Sequence, residues 1–161
     1  MPVELALYQP DIPQNTATLL RLGACLDVPV HIIHPTGFVF SDKNFKRAAM
    51  DYINHVQMRQ HNSFAQFNAW RLGQNKRLIL LSTKSVKSLY DFDFSPDDIV
   101  LGGRESAGVP DQVHQTCDHG VRIPMRAQMR SINLGISAAM ALGEALRQTG
   151  GFAAQNGFAA Q

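Results

Sequence analysis

Cysteine is scarce in this chain. Cys25 and Cys117 are its only two in 161 residues, and neither has a neighbour at C-x-x-C spacing. A disulfide framework is therefore excluded, and a reduced, cytoplasmic setting is the expectation. Long apolar runs are missing as well: no stretch approaches the length that spans a bilayer, and Met1 to Tyr8 lacks the basic-then-apolar order of a secretory leader, so a soluble protein is expected. Excess charge of one sign is absent too. The formal net charge is +2, so a polyanionic partner would have to be held by a local patch and not by the surface as a whole.

Familiar cofactor and catalytic signatures are also lacking. Gly102, Gly103 and Gly108 form neither a G-x-G-x-x-G dinucleotide fingerprint nor a phosphate loop closed by Gly-Lys-Ser/Thr. His31 and His34 are three apart on an expected strand and face opposite sides, while His55, His61, His114 and His119 show no ligand spacing. No metal is expected. Ser82, Ser106 and Ser131 have no Ser-His-Asp context.

What is present is enough apolar material for one packed domain, with 45% hydrophobic and 17% charged residues. Val3 to Tyr8 reads as a buried strand, followed by a helix capped by Asn15 and running to about Leu26. Val30 to Ile33 reads as a second strand. Ser41 is placed to cap a short basic helix with Lys43, Lys46 and Arg47; Tyr52 to Met58 alternates weakly like a strand, and Ser63 to Leu72 has helical spacing. Arg77 to Leu81 and Asp98 to Leu101 are compact apolar strands, Pro110 to Gln115 a helix opening at proline, Val121 to Ile123 the last strand, and Ser131 to Gln148 the last helix. Strands alternating with helices imply an α/β fold, a mostly parallel sheet covered by helices on both faces. Residues 1–149 are expected to form this domain and 150–161 a flexible tail, in which Gly151-Phe152-Ala153-Ala154-Gln155 recurs as Gly157-Phe158-Ala159-Ala160-Gln161.

Three loop-to-helix junctions point to one kind of site. They are Asp11-Ile12-Pro13-Gln14-Asn15-Thr16 leading to Arg21, Gly102-Gly103-Arg104-Glu105-Ser106-Ala107-Gly108-Val109-Pro110, and Ile123-Pro124-Met125 running on to Arg130-Ser131-Ile132-Asn133-Leu134. Such turns aim free backbone N–H groups at a ligand, and residues without a β-carbon let the chain approach it closely. Leu81 and Ile123 supply apolar walls.

Together the three segments resemble the SPOUT superfamily, in particular the small SpoU-like bacterial enzymes that methylate a tRNA ribose, over roughly residues 3–149. The resemblance implies a C-terminal deep trefoil knot, a rare exception to ordinary chain topology. It implies S-adenosyl-L-methionine as cofactor, bound in a bent form by Leu81, Gly103, Ile123, Ser131 and Ile132, largely through backbone atoms. It implies methyl transfer to the ribose 2′-hydroxyl of the wobble nucleotide, cytidine or modified uridine, of tRNA, with leucine tRNAs expected, and a homodimer whose active site draws on both subunits. Methylation of another tRNA or ribosomal RNA site, or a non-catalytic RNA-binding module with a retained pocket, are the alternatives.

The polar residues in these segments that could serve the reaction are Arg21, Asn15, Glu105, Arg130 and Asn133, with Ser131. Related enzymes are proposed to activate the hydroxyl with the arginine matching Arg21. An always-protonated guanidinium is chemically better suited to clamping a phosphate or stabilising an alkoxide, and Arg21 among Leu19, Leu20, Leu22 and Leu26 is expected to be partly buried. Glu105 could orient a guanidinium or cap the next turn. Lys43, Lys46, Arg47, Lys84, Arg126 and Arg130 are the candidates for holding a tRNA anticodon stem-loop. The chain departs from many relatives in reading Gly-Arg-Glu-Ser-Ala-Gly for Gly-Pro-Glu-Thr-Arg-Gly, which moves the arginine to position 104, and in having Gly143 where some carry tyrosine.

Overall fold

A computed structural model describes residues 2–40 and 43–153. Six strands lie in one sheet: β1 (Glu4–Tyr8), β2 (Val30–Ile33), β3 (Met58–His61), β4 (Arg77–Leu81), β5 (Asp98–Gly102) and β6 (His119–Val121). Their order is β3-β2-β1-β5-β4-β6, and every pairing is parallel. Among the described residues α1 (Pro13–Leu26), α2 (Lys43–Ala49), α3 (Phe64–Gly73) and α4 (Asp111–Thr116) link strands, a 3₁₀ turn at Leu89–Asp91 lies between β4 and β5, and α5 (Leu134–Thr149) follows β6.

The period-two alternation of the central strands divides the core into two layers. Leu5, Leu7, Ile79 and Val100 face a cluster completed by Leu19 and Leu20 of α1, Phe45 of α2, and Ala138, Leu142 and Leu146 of α5. Their neighbours Ala6, Tyr8, Leu78, Leu80, Ile99 and Leu101 turn to the other face and pack with Phe67 of α3 and Val113 of α4. Burial on both faces is why these strands are continuous apolar runs.

Beneath α3 lies a buried polar group. Glu4 Oε2 is 2.6 Å from His31 Nε2, Glu4 Oε1 is 3.0 Å from Lys76 Nζ, and His31 Nδ1 is 2.9 Å from His61 Nε2. Each buried ionic side chain here has a partner, as a low-dielectric interior requires.

Several local expectations change. Asn15 does not cap α1: Ile12 occupies the cap without a side-chain bond, because Pro13 already opens the helix and Thr16 N–H reaches Ile12 O at 3.2 Å. The stretch 52–58 is not a strand. Met50–Asn54 is a 3₁₀ helix, and the N–H groups of His55 and Val56 close back on Tyr52 O, so pairing begins only at Met58. The last strand ends at Val121, not Ile123, since Arg122 leaves β4 and bonds the 87–89 segment instead: Arg122 N–H to Lys87 O at 2.9 Å and Leu89 N–H to Arg122 O at 2.7 Å. The last helix starts at Leu134, three residues after Ser131, where Asn133 caps it. Ser63 caps α3 by accepting Gln66 N–H, and Pro110 caps α4, which begins at Asp111. The proposed Ser41 cap and the repeat from Ala154 onward lie outside the described residues.

Candidate active site at the strand ends

The ends of β4 and β5, with the loops after β1 and β6, enclose a cavity of about 340 Å³. Its position matches the rule for open parallel sheets, in which ligands bind outside the carboxyl ends of the strands where the strand order reverses. The size suits a small organic ligand.

The cavity gathers Leu81, Gly103, Ile123, Ser131 and Ile132, together with Asn15, Glu105 and Asn133. All three junctions thus meet at one place. Leu80, Val109 and Leu134 add to the apolar wall, while Ser82, Thr83 and Ser137 add hydroxyls. Arg21 and Arg130 do not line it. Arg21 is exposed, contrary to the expected partial burial, because its leucine neighbours turn to the core while it points outward. Its guanidinium stands 4.6 Å from the centroid of Tyr52, a contact contributing about 0.5–1 kcal/mol at an exposed site. Arg130 is exposed, as are Lys43, Lys46, Arg47, Lys84 and Arg126, and none of the six pairs with a carboxylate among the described residues.

Asn133 joins two of the junctions. Its Oδ1 accepts Ile136 N–H at 3.2 Å, capping α5, and its Nδ2 donates to Asn15 Oδ1 at 3.2 Å on α1. Ser137 Oγ–H returns to the carbonyls of Ile132 and Asn133 at 3.2 and 3.0 Å, fixing the extended approach to the helix.

The loop after β5 is a tight hairpin. Arg104 N–H donates to Gly108 O at 3.0 Å and Gly108 N–H to Arg104 O at 2.8 Å, with Gly108 at φ +64°. A β-carbon on Gly103 would lie 2.8 Å from the Gly108 carbonyl carbon, so only glycine allows this closure. Asp11, which the sequence places in the first junction without giving it a role there, anchors the loop. Its Oδ1 accepts Glu105 N–H at 3.2 Å, its N–H donates to Glu105 Oε2 at 3.1 Å, and its Oδ2 accepts the Ser106 hydroxyl. The hydrogen bond with Glu105, aided by Ser106 and Arg104 against the cost of burial, holds the Asp11 carboxyl below its usual range. Burial, then the Asp11 side chain, pushes Glu105 up. The only local signal for Asp11 was a carboxylate just before Ile12-Pro13.

Among the described residues no group of three or more His, Cys, Asp or Glu side chains could hold a metal ion. No described helix is long and apolar enough to cross a membrane.

Fold and site define an α/β protein with a ligand-sized crevice built by three separate loops. The chain belongs to the SpoU rRNA Methylase family, which it matches over residues 2–143. A protein of Beijerinckia indica subsp. indica named tRNA (cytidine(34)-2'-O)-methyltransferase is 57% identical over 149 residues, covering 92% of this chain and 93% of its own. A protein of the same name from Ancylobacter novellus is 49% identical over 153 residues, covering 95% and 97%. A solved structure described as giving insights into the 2-OH methylation of C/U34 on tRNA superposes with a TM-score of 0.85 at 40% identity, over 91% of this chain and 95% of its own. The SpoU methyltransferase AviRb from Streptomyces viridochromogenes, in complex with AdoMet, shares the fold, with a TM-score of 0.84 at 22% identity over 91% of this chain and 60% of its own.

Proposed function

We propose that this protein transfers the methyl group of S-adenosyl-L-methionine to the ribose 2′-hydroxyl of the wobble nucleotide of tRNA. One observation carries this reading: the three family junctions converge on a single cavity in a chain 57% identical to a relative bearing that activity in its name. The residues present fit the cofactor. The apolar wall suits a purine, Gly103 and Gly108 both line the crevice where the hairpin closes, and two enclosed polar atoms, Arg104 Nε and Glu105 Oε1, have no hydrogen-bond partner among the described residues.

When bound, the cofactor supplies an electrophilic methyl group on a sulfonium. Leu81, Ile123 and Ile132, which line the cavity, would hold the adenine, with Gly103 and the Ser131 hydroxyl placed to meet its polar edges. The Asn15–Asn133 pair fixes α1 against α5 beside the cavity and would position the acceptor sugar there; in well-aligned intramolecular reactions such positioning is worth about 7–11 kcal/mol. Arg21 stabilises the developing alkoxide or clamps the adjacent phosphate, and Arg130 holds the RNA at the cavity mouth.

Arg21 lies outside the cavity of its own chain, so it serves the reaction across a two-fold homodimer that joins α1 and α5 of two copies. Ile136, 58% exposed on α5, supports that surface. The C-terminal part of the sheet is threaded as a trefoil knot, and residues 1–149 make up the methyltransferase domain. Leucine tRNAs are the proposed substrates, held at the anticodon stem-loop by Lys43, Lys46, Arg47, Lys84 and Arg126.

The test is an assay of purified protein with labelled methyl donor and anticodon stem-loops, followed by mapping of the methylated ribose. Label at the wobble 2′-oxygen is expected. Label on a base, or none, would overturn the reading.

A further inference from the structure

Arg104 and Glu105 are consecutive on the cavity wall, and each has one enclosed polar atom with no hydrogen-bond partner, Nε of Arg104 and Oε1 of Glu105. The two other side chains of this kind among the described residues, Thr16 and Ser85, do not line the cavity. Among the described residues the Arg104 guanidinium makes no hydrogen bond; it forms a long ion pair with Asp11, Nη2 to Oδ2 at 3.8 Å, and its side chain is 38% exposed. An enclosed donor or acceptor left unpaired bears its full desolvation cost, which is larger for a charged group.

A cationic donor beside an anionic acceptor is complementary to a zwitterion. We propose that Arg104 and Glu105 form the recognition site for the α-amino-acid end of the methyl donor, Arg104 holding its carboxylate and Glu105 its ammonium. The inference rests on reading the cavity as the donor site. An RNA phosphate would satisfy Arg104 but would meet the Glu105 carboxylate as a like charge, whereas an amino acid answers both. The pair is also held in place before any ligand arrives, since Asp11 bonds the Glu105 N–H and carboxyl and the hairpin closes between Arg104 and Gly108. Such preorganisation limits the ordering cost of binding.

The experiment is calorimetric binding of three probes to wild type and to Arg104→Met, which keeps the apolar stem and removes the charge. The probes are S-adenosylhomocysteine, its decarboxylated form S-adenosyl-3-thiopropylamine, and 5′-methylthioadenosine, which lacks the whole tail. Wild type should prefer S-adenosylhomocysteine to the decarboxylated probe by about tenfold or more, as for a charge-assisted hydrogen bond. In Arg104→Met that preference should vanish while affinity for 5′-methylthioadenosine stays unchanged, showing an intact cavity. Retention of the preference in the variant would overturn the proposal, whether or not RNA binding weakens. So would parallel loss of all three probes, which would make Arg104 a scaffold residue. Failure of wild type to bind any probe would instead remove the donor-site reading itself.

Discussion

Asp11 and Glu105, 94 residues apart in the chain, each donate a backbone N–H to the other's carboxyl group, at 3.1 and 3.2 Å. This exchange ties the entry of α1 to the hairpin after β5. Two carboxyls so close do not ionise independently, and the environment separates them, lowering Asp11 and raising Glu105.

The raised Glu105 group favours the folded state most below its ordinary value of 4.5, and that contribution is lost as pH rises through its folded value. The lowered Asp11 group contributes above 3.8 and loses its contribution as pH falls through its own folded value. Asp11→Asn should therefore move the Glu105 titration down towards 4.5. It should also raise KM for the methyl donor more than it lowers kcat. Carbon-detected carboxyl titration by NMR checks the first part; an unmoved Glu105 would dissolve the pair as an electrostatic unit.

Gly103→Ala should weaken donor binding by about tenfold or more, because its β-carbon would stand 2.8 Å from Gly108 backbone and the hairpin would have to open. The damage is local. A loss of about 1 kcal/mol in stability would lower Tm by only about 2–4 °C in a chain of this size. Wild-type affinity in the variant would contradict the close approach.

Arg21→Ala should reduce single-turnover methyl transfer by about a hundredfold or more, the usual cost of removing one positioned charge stabiliser. Donor affinity should hold, since Arg21 lies outside the cavity lining. Tyr52→Leu, which removes the ring beneath the guanidinium, should give a smaller loss. An unaltered rate in Arg21→Ala removes it from the chemistry.

Acid should unfold the protein through the group beneath α3. Burial, then His31 and Arg59, push His61 down from 6.5 to about 4, so stability declines as pH falls from 6.5 towards 4. Burial alone would raise Glu4, yet His31 and Lys76 outweigh it and hold its carboxyl low, adding a loss in the same direction below 4.5. Urea unfolding across this range should show the decline, flattened in His61→Gln. Glu4→Gln should cost about 3–5 kcal/mol at neutral pH, because Lys76 would remain buried beside a weaker partner.

Ile136→Asp should leave the protein folded but monomeric in sedimentation, as the side chain is 58% exposed and contributes little to its own core. A dimer of unchanged strength would place the subunit contact elsewhere.

Much of the scaffold was legible in the order of residues. β1, β4 and β5 are short apolar runs, and in a sheet buried on both faces hydrophobicity alone marks them. The spacing of α1 and α5 marked them as helices, but the face α5 buries, through Ala138, Ala141, Leu142, Ala145 and Leu146, was set by packing. The weak alternation after Tyr52 misled because those side chains sit on a 3₁₀ turn whose hydrogen bonds close locally. The end of β6 was unreadable for the opposite reason: Val121 and Ile123 have the same strand character, and only the arrival of residues 87–89 beside Arg122 stops the pairing.

By itself the sequence determined most of the strands and helices, β3 and the limits of β6 excepted, and which three junctions could face a ligand, because these depend on period, turn residues and neighbours only a few positions away. Only the tertiary structure decided that Asn15 meets Asn133 across 118 residues, that Asp11 grips Glu105, and that Arg21 turns outward over Tyr52. Those contacts arise when distant loops are brought to the same end of one parallel sheet, and no local pattern in the chain encodes which of them will touch.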